Sequence, residues 1–277
     1  MKNLFKFSCL AFALVAMTLT SCSSNDDDPE VKPDDTSFVN NVFTNGLPAS
    51  VNGASITVNE KGQVTKITNH DGGDDIVFEY GEFSRAGKFD VRMYMVDPET
   101  GEKGDMFYVR LNKEGFASYV EGIDSDDAEV WCQFEFSYNK AGQLENVKEL
   151  GDRGEIIDEF RLTYTDGDIT KIEEDDEYVY NYFYTNSKYK EPVLNKGCIM
   201  FFSQGDMFEP IDLDDFEWAY YAGLLGKATK HLPMASDEDG LDYIEFGWKF
   251  NSNQMPVEFW GYAEDMGEYD GFKFTWK

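Results

Sequence analysis

Carboxylates are the most numerous side chains of this chain that could do chemistry, and several gather in short acidic segments. The chain carries 54 aspartates and glutamates in 277 residues. Residues 237–242, DEDGLD, place carboxylate oxygens around a glycine, an arrangement that suits Ca2+. The candidate calcium ligands are Asp237, Asp239 and Asp242. The segment departs from a full EF-hand loop, because Ala235 and Phe246 stand at the first and last ligand positions. A solvated turn therefore fits better, and the sequence predicts neither a metal site nor a cofactor.

The sequence offers no recognisable catalytic residue. Its two histidines, His70 and His231, lie in a predicted turn and at a predicted helix end, so they form neither a metal-binding pair nor part of a triad. Serines and cysteines lack a base at a recognisable spacing, and no G-x-S-x-G segment is present. Two carboxylates can hydrolyse glycosides, and this many acidic residues leave such a pair open. We predict a cell-envelope module with a binding or structural role that is not an enzyme. The alternatives are a surface carbohydrate-binding protein and a glycan-active enzyme that uses carboxylates.

Aromatic side chains offer a second chemistry, because their flat faces can stack on sugars while carboxylates accept hydrogen bonds from hydroxyl groups. Four tryptophans lie on predicted strands: Trp131, Trp248, Trp260 and Trp276. Trp248 alternates with Phe246 and Phe250, and Trp276 follows the same pattern, which favours positions in the core. A glycan or a protein is therefore a possible ligand, and no ligand-binding residue is predicted.

The N-terminal segment has the character of a cleaved export signal. Residues 1–21 begin with a positively charged stretch and continue with an apolar run too short to stay in a membrane as a helix. The run ends in Leu-Thr-Ser-Cys at residues 19–22, which resembles the lipobox of bacterial lipoproteins. In that family the peptidase cuts before the cysteine, which then carries the lipid. The resemblance predicts lipidation of Cys22 and a membrane partner for the protein through this anchor.

Three parts of the chain are therefore expected. A lipoprotein signal peptide covers residues 1–21, the lipidated cysteine and a disordered acidic tether cover 22–36, and one repeat-built β domain covers 37–277. An acidic cluster that begins at Asp26, just behind the cysteine, resembles the signal that exports some lipoproteins to the cell surface, although a plain linker has the same composition. We predict an outer-membrane lipoprotein, and we favour exposure on the cell surface.

The net charge of the chain is −30. It argues against binding of nucleic acid, and against contact of the folded domain with an anionic membrane surface.

Two cysteines remain in the β domain, Cys132 and Cys198, both among apolar residues on predicted strands. A disulfide and two buried free thiols fit this pattern equally well.

A repeated sequence pattern predicts the β-hairpins that position the residues discussed above. In the clearest copy, Tyr138–Val147, an aromatic residue is followed four positions later by glycine, and then by apolar residues. Related copies place glycines 25 to 30 residues apart: Gly62, Gly87, Gly115, Gly142, Gly167 and Gly197. Glycine adopts positive φ without strain, so each copy reads as a β-hairpin turn. Strands flank the turns, because apolar and polar residues alternate around them.

One segment breaks this pattern. Residues 211–232 are predicted to form a helix, with acidic residues at its start, Lys227, Lys230 and His231 at its end, and Pro233 after it. We expect the helix, near 214–232, to pack on the sheet or to plug it.

The repeated frame, together with the run from Trp218 to Pro233, resembles a family of bacterial lipoproteins. Their domain has no known function and has a porin-like antiparallel β-fold. The frame is also distantly similar to the tyrosine-aspartate repeats of bacterial shell-forming proteins. The resemblance covers about residues 40–277 and brings no catalytic residues. With the strand pattern, it predicts an all-β fold with one helix, an antiparallel up-and-down meander of repeated hairpins in an open curved sheet or a barrel.

Overall fold

The computed structural model describes residues 37–68, 73–85, 87–175, 177–200, 210–264 and 267–277. The predicted signal peptide, the lipidation site Cys22, the tether and His70 lie outside the described residues. Within the described part, no helix has the length and apolar character needed to cross a membrane.

The described residues form eighteen strands, one short α-helix and one 3₁₀ helix. The strands are β1 (Pro48–Val51), β2 (Ala54–Val58), β3 (Val64–Thr68), β4 (Asp75–Ser84), β5 (Lys88–Val96), β6 (Lys103–Leu111), β7 (Ala117–Ile123), β8 (Val130–Tyr138), β9 (Leu144–Leu150), β10 (Ile156–Thr165), β11 (Asp168–Glu174), β12 (Tyr178–Phe183), β13 (Val193–Leu194), β14 (His231–Leu232), β15 (Ala235–Glu238), β16 (Leu241–Phe250), β17 (Pro256–Ala263) and β18 (Gly267–Trp276). The helices are α1 (Ser37–Val42) and the 3₁₀ helix Asp214–Tyr220.

Sixteen strands close into one antiparallel barrel. Neighbours in the chain are neighbours in the sheet, except that β15 follows β12 directly, and β13 and β14 form a separate two-stranded ribbon. The barrel closes where β1 pairs with β18, with Val51 opposite Phe274. The predicted all-β meander is confirmed, and of the two predicted forms the closed barrel is the one observed.

Apolar side chains fill the inside of the barrel, and its outer wall carries polar side chains together with some exposed apolar ones, such as Ile157, Phe183 and Tyr243. One row across β5 to β8 points inward and is almost fully buried: Val91, Val109, Val120 and Phe134. The adjacent row carries polar and charged groups: Arg92, Tyr108, Glu121 and Gln133. A membrane-spanning barrel has the reverse arrangement, with an apolar band outside and a polar lumen. This barrel encloses its own core.

The segment after residue 210 plugs the barrel, as predicted, but it is not the predicted helix over 211–232. The 3₁₀ helix stops at Tyr220, and Gly223 and Gly226 then take φ of +79° and +80°. The prediction failed because aromatic and leucine side chains recur here to fill a lumen on all sides, which imitates a helical period. Up to the Leu224 amide the backbone bonds to its own turns, and from the Leu224 carbonyl to Lys230 it bonds to the barrel rim.

Three hydrogen bonds seat the plug on the rim. The Leu224 carbonyl accepts from the Ala117 amide at 2.7 Å, and the Lys227 amide donates to the Gly142 carbonyl at 2.8 Å. The Lys230 amide donates to the Gly167 carbonyl at 3.0 Å. The turns of three successive hairpins therefore hold the plug.

The repeated frame forms hairpin turns, but its anchor is asparagine. In the turn at 139–143, the Asn139 side chain accepts hydrogen bonds from the amides of Ala141 and Gln143, and Gly142 has φ of +82°. The turns at 59–63 and 112–116 repeat this geometry, with glycine in the left-handed position. The copy expected at Gly197 is shifted by one residue, because Cys198 holds the left-handed position at φ of +52°.

Candidate functional site

The three candidate calcium ligands lie around the β15–β16 turn. Asp237 accepts hydrogen bonds from the Asn181 amide group at 2.8 Å and from the Gly240 backbone at 2.9 Å, so it holds the β15–β16 turn together. Asp239 and Asp242 are exposed and have positive φ. Within the described ranges, no three His, Cys, Asp or Glu side chains meet in a way that could hold a metal ion.

His231 does not end a helix, contrary to the prediction. It lies in β14, where its Nδ1 contacts Asp168 Oδ2 at 2.6 Å and its backbone amide donates to Asp168 Oδ1 at 2.8 Å. This bidentate contact ties the end of the plug to the start of β11. The histidine therefore has a structural partner and faces no open site.

Cys132 and Cys198 are free thiols. Burial raises the pKa of Cys132 to about 12, and burial also raises the pKa of Cys198. The thiolate is the nucleophilic form of cysteine, so neither residue is activated for catalysis.

Two of the four tryptophans belong to the framework, as the alternation predicts. The Nε1 group of Trp248 donates to the Pro233 carbonyl at 3.0 Å, and that of Trp276 donates to the Pro256 carbonyl at 2.7 Å. Trp131 is 41% exposed. Trp260 is half-buried on the outer wall and lines a cleft.

This cleft has a volume of about 520 Å3. Strands β16, β17 and β18 form its floor, and the β1–β2 turn borders it. Its lining residues are Asn52, Gly53, Lys249, Glu258, Phe259, Trp260, Glu268, Gly271 and Lys273. We call it the Trp260 cleft. Its volume lies within the range of small-ligand pockets.

Glycines give the Trp260 ring its position. The ring lies across Gly247 of the neighbouring strand, where any β-carbon would collide with the indole. A β-carbon at Gly271 would collide with the Phe259 carbonyl, so β18 can approach β17 closely only with glycine there. The register of β17 against β18 also shifts between Glu258 and Trp260, a bulge that turns side chains locally.

Charged groups surround the aromatic face. The Lys249 ammonium lies 5.2 Å from the centre of the Trp260 ring and 2.6 Å from Glu258 Oε2. The Lys188 ammonium lies 5.9 Å from the same ring. The hydrogen bond from Lys249 holds the pKa of Glu258 below its usual range, so this carboxylate stays ionised and accepts hydrogen bonds. The cleft thus combines an aromatic face with fixed donors and an acceptor.

The far side of the cleft is held by a reciprocal pair of hydrogen bonds. The backbone amide of Asn52 donates to the Lys273 carbonyl at 2.8 Å, and the backbone amide of Lys273 donates to Asn52 Oδ1 at 2.8 Å.

The sequence identified Trp260 as one of four tryptophans, but it did not identify Lys249, Glu258 and Asn52 as its neighbours in a cleft. The available signal was Gly247 between Phe246 and Trp248, since glycine within a strand marks a close approach.

A second group of carboxylates lies where β9, β10 and β11 approach the β9–β10 and β11–β12 turns. Burial, followed by repulsion from Asp158, raises the pKa of Glu149 and of Glu174. Burial and Asp175 raise the pKa of Asp158, whose Oδ1 is buried without a hydrogen-bond partner. Folding favours the protonated form of these three carboxyl groups, so their ionisation destabilises the folded protein.

Comparison with known proteins finds the fold but no described activity. Residues 51–258 match the family described as a domain of unknown function (DUF4595) with porin-like fold. A crystal structure of a porin-like protein from Bacteroides uniformis is 18% identical, with a TM-score of 0.57 over 80% of this chain and 88% of that one. A porin-like protein from Bacteroides vulgatus is 10% identical over 84% of this chain and 99% of that one, with a TM-score of 0.38. No curated protein matches the chain.

Proposed function

The chain belongs to this family of domains of unknown function with a porin-like fold, and from that premise we propose a lipid-anchored, carbohydrate-binding module of the cell envelope that is not an enzyme. The observation that carries the proposal is the Trp260 ring, spread across Gly247 beside the Lys249–Glu258 ion pair in an open cleft.

The chemistry of the Trp260 cleft suits a sugar. One face of the indole packs over Gly247 and the ring is half-buried. A pyranose ring can stack its C–H groups on the other face if it displaces the Lys249 and Lys188 ammonium groups, which lie 5.2 Å and 5.9 Å from the ring centre. Glu258 can accept hydrogen bonds from sugar hydroxyls, while Lys249 and Lys273 can donate to their oxygens. An aromatic platform with a few fixed polar groups is the usual composition of a small-ligand site.

The filled interior supports binding rather than transport. Phe216 of the plug is fully buried against Phe107 and Phe136 of the wall, with ring centres 5.5 Å and 5.8 Å away. Because apolar side chains occupy the lumen, a ligand must bind on the outer wall or at the barrel ends. The Trp260 cleft is such a place.

A glycan-active enzyme is the alternative, and the charge state of the Trp260 cleft argues against catalysis at this cleft. Glycoside hydrolysis needs a carboxylic acid that holds its proton near neutral pH, which requires a raised pKa. The pKa of Glu258 is lowered by Lys249 instead. We expect no turnover on a panel of glycosides. Turnover that disappears in Glu258→Gln would establish the enzyme.

The anchor part of the proposal rests on the lipobox at residues 19–22. A lipid on Cys22 would place the domain at a membrane, and the acidic stretch after it favours the outer face of the outer membrane. Mass spectrometry of the purified protein should show a cleaved chain that starts with an acylated cysteine, and Cys22→Ala should abolish both changes.

A glycan array followed by titration calorimetry tests the binding site. Trp260→Ala should weaken the affinity for the identified glycan at least about tenfold, or about 1.4 kcal/mol, because the stacking face is lost. The matched control is Trp131→Ala, which removes an exposed tryptophan outside the cleft and should leave affinity unchanged. Both variants must unfold at the temperature of the parent within a few degrees. Equal affinity of Trp260→Ala and the parent, or no glycan bound by the parent, would reject the proposal.

A further inference from the structure

The two ends of the barrel carry charge of opposite sign. Strands run up and down, so successive turns lie at opposite ends. At one end, the turns and the plug carry exposed or half-exposed lysines: Lys61, Lys113, Lys140, Lys196, Lys227 and Lys230. We call this the lysine end. Three exposed acidic residues, Glu60, Glu114 and Asp166, lie in the same turns, while the exposed Asp212, Asp214 and Asp215 of the plug lie toward the opposite end, near Asp74, Asp105 and Glu149. In a chain of net charge −30, this end is net positive.

The opposite end is strongly acidic. The turn at 97–102 carries three acidic residues and the turn at 124–129 carries four, with no lysine or arginine in either. The turns at 151–155 and 237–242 add further acids. Two arginines depart from this division: Arg153 lies in the turn at 151–155, and Arg85 of the β4–β5 hairpin donates to the Ala128 carbonyl of the acidic end.

The backbone fixes the lysines in place. Lys227 and Lys230 each bond through their amides to a hairpin turn, and their side chains remain exposed. Lys113 and Lys140 occupy equivalent positions in turns that asparagine side chains hold closed. The lysine end is therefore a preformed array and not a set of charges on mobile loops.

The chain enters the barrel at this same end. After α1, the Asn45 amide group donates to the Lys196 carbonyl at 3.0 Å, and β1 then begins beside the end of β18. A cleft of about 440 Å3 opens here, lined by Asn45, Gly46, Leu47, Lys196, Asn251, Asn253, Met255, Trp276 and Lys277. Residues 23–36, between the predicted anchor and α1, can span at most about 50 Å. An anchored domain thus stays close to its membrane.

We propose that the lysine end docks on the anionic lipid surface of the membrane that holds the anchor, with a lipid phosphate in the 440 Å3 cleft between Lys196 and Lys277. This inference rests on the lipid anchor of the proposed function. Lysines near an anionic leaflet are attracted within a Debye length, about 8 Å at physiological ionic strength. The acidic end is repelled, so the barrel stands upright and the Trp260 cleft on its wall stays accessible. The net charge of the whole chain argues against contact with an anionic membrane, because it averages over two ends of unlike charge.

Hydrogen exchange of the full lipidated protein on vesicles tests the docking. The protein is reconstituted into vesicles of neutral phosphatidylcholine, or of phosphatidylcholine with a third of phosphatidylglycerol. Amides of the turns at 59–63, 112–116 and 139–143 should exchange at least threefold more slowly on the anionic vesicles. The turns at 97–102 and 124–129 should exchange alike on both, and high salt should remove the difference.

Matched charge variants identify the surface. The triple change Lys61→Gln, Lys113→Gln and Lys140→Gln should abolish the protection on anionic vesicles. The control is Lys103→Gln, Lys148→Gln and Lys171→Gln, which removes the same charge from the rest of the barrel and should keep the protection. Equal exchange on both vesicles, or a lysine-end variant that behaves like the control, overturns the docking while the anchor stands. Failure of the parent to float with neutral vesicles overturns the anchor itself, and the docking with it.

Discussion

Replacing Gly226 by alanine tests whether the plug seats on the barrel rim as the structure places it. Gly226 has φ of +80°, and a β-carbon there would lie 2.7 Å from the Gly142 carbonyl oxygen and 2.7 Å from the Tyr138 ring. Left-handed backbone costs alanine about 1–2 kcal/mol, and a forced contact in a packed interior costs about 1–3 kcal/mol more. We expect Gly226→Ala to lower the free energy of unfolding by about 2–5 kcal/mol.

Gly62→Ala is the matched control. Gly62 has nearly the same backbone angle, φ of +81°, but a β-carbon there meets no atom within 4 Å. It should therefore cost only the backbone strain, about 1–2 kcal/mol. Urea unfolding, followed by tryptophan fluorescence, measures both. Equal destabilisation by the two substitutions would show that the plug does not press on the β8–β9 turn, and would refute the seating of the plug.

Three further predictions concern the core, the thiols and the carboxylates. Phe216→Ala should lower the free energy of unfolding by about 3–5 kcal/mol in urea titration, because the ring is fully buried among aromatic side chains. Cys132, with a pKa raised to about 12, should resist iodoacetamide at pH 8 in the native protein and react once urea unfolds it; rapid native labelling would contradict its burial. The raised pKa of Asp158 means that folding favours its protonated form, so its stabilising contribution is full below the unfolded pKa and is lost as pH rises through the folded pKa. Asp158→Asn should therefore raise the melting temperature at pH 7 and change it less at pH 4.

Local alternation made the walls of the barrel predictable. Phe134 and Phe136 are separated by one polar residue, and both point inward as the pattern requires. The hairpin turns followed in the same way, because glycine in a left-handed position leaves a local signal. Closure of the barrel could not be predicted in this way, because the pairing of Val51 with Phe274 joins residues at opposite ends of the chain. No periodicity within a short window reports such a pairing.

The candidate site could not be predicted from the sequence for a different reason. Trp248 and Trp260 both lie on strands among aromatic residues, yet one is buried in the core and the other lies on the wall. Their difference depends on the register of β16 against β17, which places Gly247 opposite Trp260. The lysine end was missed for a related reason: the sequence gives the charge of each turn, but only the up-and-down order brings alternate turns together.

The filled lumen separates this barrel from a channel even though its architecture is porin-like. A polar lumen would fill with water if a plug were removed, whereas the wall here presents Val91, Val109 and Phe134 to the interior. Three backbone hydrogen bonds, the His231–Asp168 contact and several aromatic contacts hold the plug in that lumen, and its removal would expose a large apolar surface to water. Loss of the plug should therefore lead to collapse or aggregation and not to conductance. The same filling is why both proposals, for the Trp260 cleft and for the lysine end, concern the outer surface.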